Sequence, residues 1–216
     1  VALSATNKGR MKEQLAAASI PTPAFALVDR HEPPSSHRRL AELSPPLVVK
    51  PLDNQGQRGV ARCEFHADVP RALERARSFS RQTTVLVEEF YPSNEVTVSG
   101  WVTNGEPQIL AVTDRVTIPH ATSLGVCAAH RYPSSYARHS ISEIIELTRA
   151  VVHTFGIERG PIYFQILCGS QGVKVNEVAC RIGGAFEDHS LPLVTGEDIL
   201  MRAIAESLGD ELAPLP

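Results

Sequence analysis

Tyr163-Phe164-Gln165-Ile166-Leu167-Cys168-Gly169-Ser170-Gln171-Gly172-Val173-Lys174-Val175-Asn176-Glu177-Val178-Ala179-Cys180-Arg181-Ile182-Gly183-Gly184 is the stretch whose reading decides the fold. Two apolar runs, Ile162–Cys168 and Val173–Ala179, flank a short polar segment ending in glycine, the pattern of a β-hairpin. Taking Ser170-Gln171-Gly172 as a three-residue loop, with Gly172 left-handed, pairs Gly169 with Val173. Four steps further out, Gln165 then faces Glu177. Strand side chains alternate, so both project from one face. Arg181 follows four residues after Glu177 and leads into Gly183-Gly184. Two oxygen ligands beside a guanidinium suit a hard cation such as Mg²⁺ bridging phosphates. A surface polar pair with an ordinary strand-end arginine accounts for the same spacing.

Working outward, Val96, Val98, Gly100 and Val102 alternate with Thr97, Ser99, Trp101 and Thr103, a period of two. Asn104-Gly105 supplies a type I′ turn, and Gln108–Thr113 returns antiparallel. Leu47-Val48-Val49-Lys50 reads as a short buried strand and Thr84–Phe90 as another, ending in Glu88-Glu89. Lys50 closes an apolar strand, where a charge costs free energy unless an anion or a chain end satisfies it. Gly56 and Gly59 then let the backbone approach a phosphate closely, although no Walker loop is present. A solvated turn is the plain alternative at Lys50, and a solvated strand end at Glu88-Glu89. Helices are expected at Asn7–Ala18, Ser36–Leu43, Asp68–Ser80, from the capping box Ser140-x-x-Glu143, and from Thr195-x-x-Asp198 to about Leu208. Hairpins mixed with packed helices give an α+β class.

The chain has 216 residues, 43% of them apolar, enough for one compact unit or two small lobes. Lys plus Arg number 21 against 24 Asp plus Glu, a net charge of −3 with no basic stripe, which argues against nucleic acid and anionic membranes as partners. No apolar run approaches the ~20 residues of a membrane helix. Cys63, Cys127, Cys168 and Cys180 are scattered without Cys-x-x-Cys spacing, which predicts reduced thiols in a cytoplasmic protein and no structural zinc. No signal peptide is legible. Val1 starts in mid-pattern without Met, so a missing N-terminal segment is expected.

The order of elements adds to the single motifs. Asn7-Lys8…Lys12-Glu13, Ile20-Pro21-Thr22-Pro23, Val48-Val49-Lys50-Pro51, Val87-Glu88-Glu89-Phe90, Glu95 opening a hairpin, and Asn176-Glu177-x-x-Cys180-Arg181-Ile182-Gly183-Gly184 follow one another along the chain. Together they resemble the ATP-grasp superfamily of carboxylate ligases over about Thr6 to Leu200. The resemblance implies an α+β fold of two lobes holding ATP between antiparallel sheets, with the N-terminal domain that precedes it in the family absent. It divides the chain into an entry helix (1–21), a small lid lobe (22–87) and a large lobe with the metal site (88–216).

The resemblance also implies roles. Lys8 and Lys50 contact ATP phosphates, and the loop of Gly56, Gln57 and Gly59 closes over them. Glu88 accepts from the adenine amino group, the backbone from Glu89 through Phe90 to Tyr91 pairs with the ring edge, and Glu95 holds the ribose. Gln165 and Glu177 bind Mg²⁺ or Mn²⁺, Arg181 stabilises the transferring phosphoryl group, and Gly183, Gly184 and Glu187 shape the acceptor pocket. Most of the superfamily has glutamate where this chain has Gln165, and Ala179 stands where an Asn ligand is usual, which implies weaker or single-metal binding. The expected activity is ATP-dependent activation of a small-molecule carboxylate as an acyl phosphate for attack by an amine or thiol, with a homodimer left open. The competing reading is a nucleotide-binding module without catalysis. Asp114-Arg115 and His130-Arg131-Tyr132-Pro133 are lesser candidates for substrate contact, and Cys127, Cys168 and Cys180 are expected to pack in the core.

Overall fold

The computed structural model describes residues 1–120, 123–184 and 186–215. Two helices open the chain, α1 (Ala2–Thr6) and α2 (Lys8–Ala17). Asn7 caps α2 by accepting the Arg10 N–H. A four-stranded antiparallel sheet follows, built from β1 (Phe25–Val28), β2 (Leu47–Pro51), β3 (Ala61–Cys63) and β4 (Val85–Glu89) in the order β1-β4-β2-β3. Helices α3 (Arg38–Ala41) and α4 (Val69–Ser78) cover one face. Strand alternation sorts the residues: Ala26, Val28, Leu47, Val49, Val85 and Val87 enter that core, while Val48, Lys50, Leu86 and Glu88 point the other way. Val48 pairs with Glu88 and Lys50 with Leu86, so the Lys50 and Glu88 side chains are diagonal neighbours on the face turned from the small core.

The second sheet has the order β7-β6-β5-β8-β9, from β5 (Ser93–Thr103), β6 (Glu106–His120), β7 (Ser123–Arg131), β8 (Arg159–Gly169) and β9 (Gly172–Ala179). The β5–β6 hairpin turns at Asn104 (φ +51°) and Gly105 (φ +80°), the pair of positive φ values that a type I′ turn requires. On one face α2 and α5 (Ile141–Phe155) bury Met11, Leu15, Ile144, Val151 and Val152 against Val96, Val98, Phe164 and Val175. The other face carries Trp101 and Ala111 under α6 (Glu187–Thr195) and α7 (Ile199–Leu208), and Tyr163, Gln165 and Glu177 continue along it. Among the described residues no helix is long and apolar enough to cross a membrane.

Several local expectations need correction. Gly169 pairs with Gly172, not Val173, so the β8–β9 turn holds only Ser170 and Gln171. That register alone would put Gln165 and Glu177 on opposite faces. A bulge between Gln165 and Ile166 adds one residue to β9, Asn176, and restores the Gln165–Glu177 pairing. The Ser140 side chain makes no capping bond, and Glu143 Oε1 accepts the Val173 N–H at 3.3 Å instead. Asp68 precedes α4 but accepts the Phe65 N–H rather than a helix amide. Thr195 ends α6, while Asp198 caps α7 by accepting the Met201 N–H. Strands β1, β3 and β7 and helices α1 and α6 were not legible beforehand, because each is short or lacks a clean period.

Candidate active site

A cleft of about 630 Å³ opens between the two sheets, and Lys8, Lys50, Glu95, Gln165, Glu177 and Arg181 all line it. Each reaches it for a local reason. Lys8 begins α2 and donates to the Asn54 carbonyl at 2.6 Å, tying the helix to the loop after β2. Within that loop Gly56 (φ +65°) and Gln57 (φ +58°) turn the backbone into the cleft wall. Gly59 sits behind it, against Phe79. Lys50 Nζ ion-pairs with Glu88 and donates to Asn176 Oδ1 at 3.0 Å. The residue that the bulge inserts is thus the one that reaches across from the large sheet to Lys50.

Gln165 and Glu177 share the cleft face. Gln165 Nε2 donates to Tyr163 Oη at 3.1 Å, leaving its amide oxygen as the acceptor available to the cleft. Tyr163 Oη also accepts from Arg115 at 2.6 Å, and Arg115 lies 3.2 Å from Glu95. Arg181 donates to the Ile182 carbonyl and stands over the Tyr163 ring, 5.6 Å from its centre. Four cationic side chains, Lys8, Lys50, Arg115 and Arg181, therefore face two carboxylates, Glu95 and Glu177. Burial lowers the Lys8 ammonium and raises the Glu95 carboxyl from their ordinary values. The donor chemistry fits a polyphosphate held by the cations and a hard cation held by Glu177 and Gln165. Mg²⁺ commonly takes one or two protein oxygens and completes its shell with phosphates and water. Among the described residues no cluster of three His, Cys, Asp or Glu forms a self-sufficient metal cage.

A second recess of about 310 Å³ shares Lys50, Glu95, Arg115 and Asn176 with the first. Glu88, Glu89, Phe90 and Tyr91 line it. Glu88 is 3% exposed and held between Lys12 and Lys50. Burial alone would raise its carboxyl, but Lys12 and then Lys50 override that and hold it at about 2. Glu89 Oε1 accepts the Ser44 N–H at 2.7 Å, Arg62 stacks on Phe90, and Tyr91 Oη donates to the Gly172 carbonyl. The amides of Glu89 and Phe90 bond to the Ala24 and Pro46 carbonyls, so neither N–H is left to donate to a ring edge.

Gly183 and Glu187 stand behind the cleft wall, and Gly184 forms part of it. Glu187 accepts from Ser99 Oγ at 2.8 Å and from the Gly183 N–H at 3.0 Å, so both of its oxygens serve the protein itself. Asp114 is likewise structural, binding the Ser134–Tyr136 segment through four hydrogen bonds. Sequence reasoning ranked Arg115 low, gave Asn176 and Lys12 no role, and placed Cys127 in the core. Cys127 in fact lines the cleft, its Sγ 3.6 Å from His130 Nε2. Lys12 had a signal: it lies one helical turn from Lys8 and beside the buried Met11 and Leu15.

A family model for the ATP-grasp domain matches residues 43–188. D-alanine--D-alanine ligase of Caulobacter sp. (strain K31) is 34% identical over 110 residues, 51% of this chain and 33% of that protein. The chain thus spans about a third of the length of that relative. Among solved structures, an L-amino acid ligase from Bacillus licheniformis superposes with a TM-score of 0.74 at 22% identity, over 95% of this chain and 48% of that one. The ADP complex of purK, an N5-carboxyaminoimidazole ribonucleotide synthetase, gives 0.80 at 18% identity, over 99% and 54%.

Proposed function

The chain belongs to the ATP-grasp domain family, and from that premise we propose that it is the ATP-binding part of a ligase that activates a small-molecule carboxylate for attack by an amine. The observation that carries this reading is the convergence of Lys8, Lys50, Glu177, Gln165 and Arg181 on one cleft between two antiparallel sheets. Lys8 and Lys50 hold the phosphates of ATP, and the neighbouring recess at Glu88–Tyr91 takes the adenine, with the ribose at Glu95. Glu177 and Gln165 hold Mg²⁺ or Mn²⁺, which when bound neutralises phosphate charge. Arg181 presents a fixed guanidinium to the charge that develops as the γ-phosphoryl group passes to the substrate carboxylate. The acyl phosphate that results is attacked by an amine, or by a thiol, with loss of phosphate. Closure of the small lobe (22–87) over the large one (88–216) keeps water from that intermediate. The same proposal includes a cytoplasmic location and leaves a homodimer to be tested by sedimentation.

Phosphate release, screened with amino acids and dipeptides, tests the reading. Mg²⁺-dependent release that needs both an acid and an amine is the expected result, and saturable ATP binding without release overturns it in favour of a pure binder. Glu177→Ala is expected to abolish release. Full Mg²⁺-dependent activity in that variant would remove Glu177 from the site.

A further inference from the structure

Lys12 is completely buried, and only Trp101 is larger among the fully buried side chains of the described residues. Its ammonium donates to Thr22 Oγ1 at 2.6 Å and to the Val175 carbonyl at 3.4 Å, and it lies 3.0 Å from Glu88 Oε2. Thr22 itself donates to the Val175 carbonyl at 2.8 Å. One side chain thus joins α2, the segment entering the small sheet, the end of β4, and β9 one residue before the bulged Asn176. An ammonium this deep is tolerated only with acceptors around it.

The charge count around Glu88 is uneven. One buried carboxylate has two ammonium partners, Lys12 with no exposure and Lys50 with 13%. A single counterion is enough to neutralise Glu88, and the second leaves a surplus positive charge. Of the two lysines, Lys50 lines the cleft and Lys12 does not. We infer that Lys12 is a positioning residue: it is the resident counterion of Glu88, and it thereby leaves the charge of Lys50 available to an anion in the cleft. The inference rests on the ATP reading above and gives that site a residue acting through another. Without Lys12, Glu88 has Lys50 alone of the two lysines that pair with it, and the surplus of positive charge in the cleft falls by one.

The test compares the affinities of ATP and adenosine by calorimetry, since adenosine carries the base and sugar without phosphates. Lys12→Met is expected to weaken ATP by roughly tenfold to a hundredfold, the size of one charge-assisted contact, and to weaken adenosine far less. In a Glu88→Gln background the carboxylate no longer competes for Lys50, so adding Lys12→Met is expected to leave the ATP-to-adenosine ratio unchanged. Equal loss of both ligands in Lys12→Met, or the same selective loss in the Glu88→Gln background, overturns the inference. If Lys12→Met alone does not fold, the double variant measured against Glu88→Gln decides, and a lowered ratio there overturns it. A wild-type protein that binds neither ligand overturns the ATP reading itself, an outcome visible before any variant is made.

Discussion

Glu88 and Glu187 are glutamates buried to the same degree, 3% and 4% exposed, yet the two parts of the molecule around them treat a carboxylate in opposite ways. At the end of β4, two ammonium groups flank Glu88 and hold its carboxyl at about 2, although burial works against ionisation. At the start of α6, the bonded groups are neutral: the Ser99 hydroxyl and the Gly183 amide meet Glu187, and burial wins, raising its carboxyl above the usual value. Burial therefore does not by itself decide the charge state of an acid. At these two acids the difference is that a pair of ammonium groups touches Glu88, while a hydroxyl and an amide bond Glu187 and the Arg181 and Arg115 charges act on it only through space. The first arrangement makes a charged cluster beside the proposed nucleotide site, and the second makes a brace behind the proposed acceptor side.

The contrast breaks most visibly at Glu88. Glu88→Gln leaves two ammonium groups facing a neutral amide, and a loss of about 3–5 kcal/mol in urea unfolding is expected. Lys12→Met added to it should recover part of that loss, because the stranded charge goes too. If the double variant is less stable by the sum of the single effects, the two residues are not a pair. Next in size is Gly183→Ala. A Cβ there would overlap the Tyr163 ring and the Glu187 carboxyl, so about 1–3 kcal/mol of destabilisation is expected, and an unchanged melting temperature would show the brace to be soft.

The smallest effect has the opposite sign. Glu187→Gln keeps an acceptor for the Gly183 amide and offers a donor to Ser99 while removing a disfavoured charge. It is expected to stabilise the protein by a few tenths of a kcal/mol to about 1 kcal/mol at neutral pH. The pH dependence separates the two acids. Glu187 titrates higher folded than unfolded, so its contribution is full in acid and is lost as pH rises through its folded value. The gain from Glu187→Gln should therefore shrink as pH falls. Glu88 titrates lower folded than unfolded, so its contribution is present above the ordinary carboxylate range and is lost as pH falls towards about 2. A wild-type acid limb no steeper than that of Glu88→Gln would contradict the charged cluster.

The two sites were not equally legible beforehand. Lys50, Glu88 and Glu177 could be read because strand alternation carries a side chain to a known face, and the Asn104-Gly105 hairpin because its turn chemistry is specific. Glu187 could not be placed, since α6 has no clean apolar period and its partner Ser99 lies 88 residues away. Lys12 is hard to read from sequence because a lysine on a helix is normally solvated. Its burial follows from how α2 meets β4 and β9, a tertiary fact. The three-residue loop that the sequence suggests does not form, yet Gln165 still pairs with Glu177. The bulge at Asn176 supplies the missing residue, and no local signal marks it.

That compensation has a consequence for how this hairpin varies. The turn and the bulge form a parity lock: each shifts the strand by one residue, and only together do they keep Glu177 facing the cleft. A two-residue turn of other composition can replace Ser170-Gln171 without touching the Gln165–Glu177 pairing. A turn longer or shorter by one residue cannot, unless the bulge changes with it, and deleting the bulge also removes the Asn176 amide from Lys50. Segments exchanged between related chains would have to carry both ends of β9 as a unit.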